Sequence, residues 1–222
     1  MKAFILAAGM GTRLSSLNLN LPKPLIRIKG KPLILWNIEK LRDSGIKDIV
    51  INIFHKGELI KEFLGDGSEY GVKIQYSEEE ELLGTGGGIG NSLDLLGEGV
   101  FLLISADVWT DLDLNKVALK ESKSAHLVLK NNPKDYPEGD LSLQDGLVKD
   151  SAEAVRLTFS GIALIDTCLF NGIEAKRYGL WESVLKPACS EDLVTGSLYE
   201  GSIFNVNTPE DVEKLDALLN EE

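Results

Sequence analysis

Two short segments near the start of the chain carry the residue types that phosphate chemistry needs. One is Leu6-Ala7-Ala8-Gly9-Met10-Gly11-Thr12-Arg13-Leu14, which follows directly on an apolar run; the other is Leu21-Pro22-Lys23-Pro24-Leu25. Gly9 and Gly11 allow the backbone to bend tightly and bring bare N–H groups onto phosphate oxygens that a Cβ would hold away. Arg13 can fork onto a leaving pyrophosphate. Lys23, its backbone stiffened by a proline on each side, can bring a point charge to the phosphate at the reacting centre. Two commoner glycine motifs are excluded. A dinucleotide fingerprint needs a third glycine where Leu14 stands, and a P-loop needs Gly-Lys followed by Ser or Thr. A lone G-x-G is as readily a bare strand-to-loop turn, but Arg13 and Pro22-Lys23-Pro24 shift the reading to a nucleotide phosphate site.

Asp107 supplies the third piece. It follows the apolar run Phe101 to Ser105, so its carboxylate emerges at the strand's C-terminal edge, facing the glycine loop. Alone, an Asp after a strand is a turn former. Beside the phosphate signature it reads as a Mg²⁺ ligand and catalytic residue, with the metal neutralising the α-phosphate and clamping both reactants.

These residues need a scaffold that puts strand ends and loops on one edge. In the first half, Ala3 to Leu6, Asp48 to Ile53, Val72 to Tyr76 and Val100 to Ser105 read as buried strands. Helical patterns separate them at Pro32 to Ser44, Lys56 to Leu64 and Gly86 to Leu96. The pattern is βαβ, so the fold class is α/β: a three-layer α/β/α Rossmann-like domain with a mostly parallel sheet, whose ligand sits at the strands' carboxyl ends. The second half predicts a small antiparallel extension from strands at Ala125 to Lys130, Leu141 to Leu143, Leu157 to Ile165 and Val194 to Phe204. Helices follow at Trp181 to Cys189 and Pro209 to Leu219, the last opened by Thr208 as N-cap, Pro209 and Asp211. With no long linker or repeat, one domain over 1–222 is expected, 1–110 forming a nucleotide-binding half and 111–222 a sugar-binding half.

Composition narrows the partners. Net charge is −12 in 222 residues, which argues against a nucleic-acid surface, since that needs clustered Lys and Arg. Any phosphate site must be a local positive pocket in an acidic protein. No apolar run reaches membrane-spanning length and the start is too short for a signal peptide, so a cytoplasmic protein without a membrane partner is expected, monomeric or a small homo-oligomer. Cys168 and Cys189 lack metal-site spacing, and His55 and His126 lack a Ser or Cys partner, so these four read as structural.

The signature resembles that of the nucleotidyltransferases that make nucleoside diphosphate sugars, and the likeness runs along nearly the whole chain. Within that family it is most similar to the bacterial N-acetylmuramate α-1-phosphate uridylyltransferases, through Leu83-Gly84-Thr85-Gly86-Gly87-Gly88-Ile89, Asp107-Val108-Trp109-Thr110-Asp111, Asn132-Pro133, Gly139-Asp140 and Thr158-Phe159-Ser160-Gly161-Ile162. Mannose-1-phosphate guanylyltransferases share several of these segments. The resemblance implies a nucleoside triphosphate and a sugar 1-phosphate as substrates and Mg²⁺ as cofactor. It places Leu6, Ala7, Ala8, Gly9, Gly11, Thr12, Arg13 and Lys23 around the triphosphate, and Gly84 and Thr85 in a loop reading the base. Glu79 or Glu81 could accept from uracil N3–H, but equally from guanine, so the acid leaves the base open. Asp107, Asp140, Ser160 and Gly161 fall on the sugar side, although Gly161 reads equally as an ordinary bend and Asp140 as an exposed charge.

Asn205 aligns with a position that is Asp in the uridylyltransferases; its carbonyl oxygen suits Mg²⁺ as a second ligand, or Asn205 and Asn207 cap the last helix. Met10, Ser16 and Asn18 depart from the family, Met10 by removing a cation. Two competing readings remain: a nucleotide-sugar sensor whose metal site has failed, and a transferase for another phosphate acceptor, suggested by Asn205-Val206-Asn207-Thr208-Pro209-Glu210-Asp211.

Overall fold

The computed structural model describes residues 1–11, 14, 20–134, 136–151, 154–174 and 176–220. In chain order the first half contains β1 (Lys2–Leu6), β2 (Arg27–Ile28), β3 (Lys31–Pro32), α1 (Leu33–Asp43), β4 (Asp48–Ile53), α2 (Gly57–Leu64), β5 (Lys73–Glu78), α3 (Gly84–Gly90), α4 (Leu93–Leu96), β6 (Val100–Ser105) and β7 (Val108–Thr110). The second half adds β8 (Ala125–Lys130), β9 (Leu141–Gln144), β10 (Leu147–Lys149), β11 (Arg156–Asp166), α5 (Lys186–Ser190), β12 (Val194–Leu198), β13 (Ile203–Asn205) and α6 (Pro209–Asn220).

Nine of these strands form one sheet in the order β5-β4-β1-β6-β11-β8-β12-β10-β9. The first-half strands β5, β4, β1 and β6 are parallel to one another. β11 then enters antiparallel between β6 and β8, and β9, β10 and β12 complete a mixed extension. Alternate side chains bury on opposite faces. Ala3, Ile5, Ile49, Ile51, Leu102 and Ile104 face α1 and α2, while Phe4, Val50, Phe101 and Leu103 pack under Ile89, Leu96, Val184 and Ala188. The sheet is therefore the middle of three layers, and each fully buried Ile, Leu or Phe contributes about 1.5–3 kcal/mol of transfer free energy.

Local chemistry sets the ends. α1 closes with Gly45 at φ +80°, the Gly45 and Ile46 N–H groups donating to the Arg42 and Leu41 carbonyls at 2.9 Å each; this is the six-to-one and five-to-two pair of a Schellman cap. At α6, Thr208 Oγ1 accepts from Asp211 N–H (3.3 Å) and Asp211 Oδ2 accepts from the Asn207 and Thr208 N–H groups (2.9 Å each). That reciprocal box is the start expected from Thr208-Pro209-Glu210-Asp211.

Three expected elements are interrupted. The stretch Gly86 to Leu96 is two helices, because Ser92 turns its hydroxyl back onto the Gly88 carbonyl (2.7 Å) and the chain restarts at Leu93. The run Val194 to Phe204 is two strands in different sheets: β12 pairs with β8, while β13 pairs with β7 in a ribbon of its own. The crossing is pinned by Asp111, whose Oδ1 accepts from Tyr199 Oη (2.8 Å) and Ser202 N–H (2.9 Å). Pro187, with no N–H to return to Ser183, follows a widened π turn at Trp181–Leu185. Among the described residues no helix is long and apolar enough to cross a membrane.

Candidate active site

The site follows from the register of the parallel strands. Leu6 lies beside Asn52 of β4 and Ser105 of β6, so the loops leaving these strands open on one edge. Ala106 N–H donates back to the Leu6 carbonyl (2.9 Å), which carries Asp107 alongside the glycine loop. Ala7 N–H donates to Asn52 Oδ1 (2.8 Å), Asn52 Nδ2 donates to Glu79 Oε1 (2.7 Å), and Glu79 Oε2 accepts from Leu83 N–H (3.0 Å). Asn52 and Glu79 are both buried, and burying this carboxylate is tolerable because each of its oxygens has a donor. The relay locks the glycine loop after β1 to the Leu83-Gly84-Thr85 loop.

Glycine is required at Gly11, whose φ is +62° and where a Cβ would stand 3.1 Å from Lys23 Cβ. That close approach seats Lys23, which begins a single 3₁₀ turn after Pro22. Its ammonium forms a salt bridge to Asp107 Oδ2 and donates to Asn207 Oδ1 at 2.9 Å. The β7–β13 ribbon places Val108 opposite Asn205, and Val206 N–H donates to the Asp107 carbonyl (2.9 Å), so Asp107 and Asn205 sit on neighbouring strands. Asn205 Oδ1 accepts from the Lys130 ammonium, while its Nδ2 donates to the Ser160 carbonyl (3.3 Å). Each oxygen proposed for a metal is thus held by a lysine in this conformation.

Two cavities meet at this centre. The smaller, about 370 Å³, is lined by Ala7, Gly9, Gly11, Lys23 and Leu82; the larger, about 640 Å³, by Asp140, Phe159, Gly161, Trp181 and Asn205. Leu6, Thr85, Ser105, Asp107 and Asn207 line both. Asp107 is therefore the one acidic side chain that faces both cavities among the described residues.

A nucleotidyl transferase family model matches residues 2–138. The chain belongs to the nucleotidyl transferase family. It is 42% identical over 216 residues to the N-acetylmuramate alpha-1-phosphate uridylyltransferase of Neisseria meningitidis serogroup B, covering 94% of each chain. It is 31% identical to the D-glycero-alpha-D-manno-heptose 1-phosphate guanylyltransferase of Campylobacter jejuni, covering 95% of this chain and 96% of that one. In three dimensions it matches HddC from Yersinia pseudotuberculosis complexed with GMP-PN, with TM-score 0.82 and 23% identity over 98% of this chain and 99% of that one. A putative glucose-1-phosphate thymidylyltransferase from Bacillus anthracis gives TM-score 0.84 at 21% identity, over 100% of this chain and 96% of that one. The likeness to these structures establishes the α/β fold, and the family establishes an enzyme, a nucleotidyltransferase.

In this nucleotidyltransferase the glycine-rich helix α3 is clasped from outside. Gly86 and Gly87 N–H donate to the Tyr178 carbonyl (3.1 and 3.2 Å), Tyr178 N–H donates to the Leu83 carbonyl (3.0 Å), and Thr85 Oγ1 accepts from Leu180 N–H (3.0 Å). Gly84 has φ +74°, and a Cβ there would stand 2.8 Å from the Tyr178 carbonyl oxygen. At the larger cavity, Asp140 Oδ2 accepts from Phe159 N–H (2.8 Å), and its charge raises the pKa of the Tyr136 phenol. Gly161, at φ +87° in a β-bulge opposite Ser105, lines the larger cavity. Ser160 is fully buried and accepts from Ile162 N–H (3.1 Å), so it shapes the bulge from within.

Of the residues singled out in the sequence, the structure gathers Leu6, Ala7, Gly9, Gly11, Lys23, Thr85, Asp107, Asp140, Gly161 and Asn205 on the two cavities. Ala8 is buried in the loop between them. Glu79 reaches the site through Leu83, Gly84 leads into Thr85, and Glu81 is exposed. Thr12 and Arg13 lie outside the described residues. Sequence reading overlooked Lys130, the last residue of an apolar strand, and Asn207 as a partner of Lys23; neither has a local signature. Among the described residues no three His, Cys, Asp or Glu side chains gather into a metal site. Asp107 and Asn205 offer one carboxylate and one amide oxygen, a set that suits a Mg²⁺ ion whose remaining ligands are water and substrate phosphates.

Proposed function

We propose that this enzyme transfers a nucleotidyl group from UTP to a sugar 1-phosphate, N-acetylmuramate 1-phosphate, releasing pyrophosphate and leaving a UDP-sugar. The observation that carries the reaction class is the pair of adjoining cavities with Asp107 and Lys23 at their junction. Such a junction suits an in-line displacement between two phosphates. The base and sugar rest on the 42% identity to the Neisseria uridylyltransferase over nearly the full length of both chains.

In this reading residues 1–110 hold the triphosphate and 111–222 the sugar, within one domain of a cytoplasmic enzyme. A non-bridging oxygen of the sugar 1-phosphate attacks the α-phosphorus, the new O–P bond forms, and the bond to the bridging oxygen of pyrophosphate breaks. No general base is needed because the attacking oxygen is already anionic. Lys23 leaves Asp107 for the phosphates, and Lys130 leaves Asn205 for the sugar phosphate, so each cation exchanges a protein oxygen for a substrate oxygen. A Mg²⁺ ion on Asp107 and Asn205 would supply charge neutralisation at the α-phosphate. The protein's own contribution is positioning and preorganised charge.

The test incubates the protein with Mg²⁺, each nucleoside triphosphate and a panel of sugar 1-phosphates, and measures released pyrophosphate. Turnover of UTP with N-acetylmuramate 1-phosphate is expected. A preference for GTP with mannose or heptose 1-phosphate would replace the substrate pair and keep the reaction.

A further inference from the structure

Arg156 is the one cationic side chain lining the larger cavity among the described residues; the charged side chains around it there are Asp107, Asp140, Asp150 and Glu182. Carboxylates accept from sugar hydroxyls, so an acidic lining suits a neutral sugar without any cation. A sugar that carries its own carboxylate would be repelled throughout such a cavity unless one group could pair with it. Arg156 opens β11. Its Nη2 donates to the Asp140 carbonyl, its Nε reaches the Gly139 carbonyl at 3.4 Å, and its Nη1 lies 3.4 Å from Asp150 Oδ1. Both 3.4 Å contacts are long for hydrogen bonds to so strong a donor. Asp150 meanwhile has a nearer partner in Lys186 Nζ at 3.1 Å, and that hydrogen bond is the main reason its carboxyl sits below the usual range. Lys186 also comes within 3.6 Å of Glu182. Asp150 therefore keeps an ammonium partner if the guanidinium turns its fork toward the cavity.

We propose that Arg156 is the specificity-determining residue for a carboxylate on the sugar, the lactyl ether carboxylate that distinguishes N-acetylmuramate from N-acetylglucosamine. This rests on the sugar assigned above. The fork would hold the carboxylate bidentately while the 1-phosphate lies toward Asp107, so the two anionic ends of the substrate are read by different cations.

The experiment compares kcat/KM with UTP for three acceptors: N-acetylmuramate 1-phosphate, its lactyl amide, and N-acetylglucosamine 1-phosphate. The wild-type enzyme should favour the acid over the amide by roughly tenfold to a hundredfold, the range of a charge-assisted hydrogen-bonded pair. Arg156→Gln should bring the ratio to within about threefold, and Arg156→Lys, which keeps the charge without the fork, should fall between. Should Arg156→Gln not fold, the wild-type ratio and Arg156→Lys still decide. Equal wild-type turnover of acid and amide, or a variant that slows all three acceptors by one factor, removes the role of Arg156 and leaves the sugar assignment standing. Turnover of a mannose or heptose 1-phosphate with no activity on either N-acetylated sugar removes both.

Discussion

The centre of the candidate site pairs Lys23 with Asp107 and Lys130 with Asn205, and in the proposed reaction these partners part as substrate binds. Lys23 contacts Asp107 and Asn207, and in the proposed reaction its value lies in charge that develops on the phosphates. Lys23→Ala is therefore expected to lower kcat by about 10²–10³-fold while circular dichroism and melting temperature stay near wild type; an active, folded variant would remove Lys23 from the chemistry. Asp107 and Asn205 differ by one charge, and this predicts opposite metal responses. Asp107→Asn leaves no anionic protein ligand at the junction and should abolish turnover, whereas Asn205→Asp should lower the Mg²⁺ concentration for half-maximal rate. Activity titrated against Mg²⁺ for both variants decides it, and an Asp107→Asn enzyme with ordinary Mg²⁺ demand would overturn the metal assignment. That Gly11, Lys23 and Asp107 meet at one cleft was legible in the sequence, because their residue types and order along the chain point to phosphate chemistry. Lys130 and Arg156 were not, because a cation that ends or opens a strand looks like any solvated end until β8 brings Lys130 to Asn205 and β11 brings Arg156 to the larger cavity; Asn207 was legible only as a possible helix cap, since its contact with Lys23 joins segments far apart in sequence.

Elements were legible where burial alone dictates them. The runs at β1, β4 and β6 are largely apolar stretches between turns, as parallel strands buried on both faces must be, Asn52 of β4 being the buried polar exception. The pairings β2–β3 and β9–β10 went unseen, although each turns through two residues of positive φ, Lys29-Gly30 and Asp145-Gly146; Asp-Gly is a strong type I′ signal, but two- and three-residue strands carry too little periodicity to announce themselves. α3 is a helix despite five glycines, since a Cβ on Gly86 or Gly90 would strike the Tyr178 side chain (2.5 and 2.6 Å); tertiary packing overrides propensity there. At the β8–β12 pairing, His126 is buried and lies between Thr195 Oγ1 (2.9 Å) and Ser197 Oγ (3.0 Å), and burial holds its pKa below the ordinary 6.5. A lowered folded-state pKa means the unfolded chain binds the proton more readily, so this contribution is complete above about pH 6.5 and is lost as pH falls below it. Wild type should lose melting temperature between about pH 7.5 and pH 5.5 more steeply than His126→Gln; parallel curves for the two proteins would show that His126 is not the titrating group.

The molecule as a whole carries a net charge of −12, yet its proposed substrates are both anions. Long-range repulsion and short-range attraction must therefore coexist, and ionic strength separates them. Surface carboxylates act through solvent over distances comparable to the Debye length of about 10 Å at 0.1 M salt, and screening weakens them. Lys23 lines the smaller cavity and Lys130 holds Asn205 of the larger; both contacts are partly buried and at hydrogen-bond range, where screening is slight. A basic nucleotide-binding surface loses affinity steeply as salt rises. Here the sign should differ: raising ionic strength from about 0.02 M to about 0.2 M with an alkali chloride, at fixed free Mg²⁺, relieves repulsion and leaves the contact cations intact. The expected result is a kcat/KM for the nucleotide that stays level or rises by up to about threefold. Chloride is the suitable anion, since sulfate or phosphate would compete for the same lysines. A tenfold fall over that range would show that a positive field extending beyond the cavity, rather than contact charges at the junction of its two halves, draws the nucleotide in.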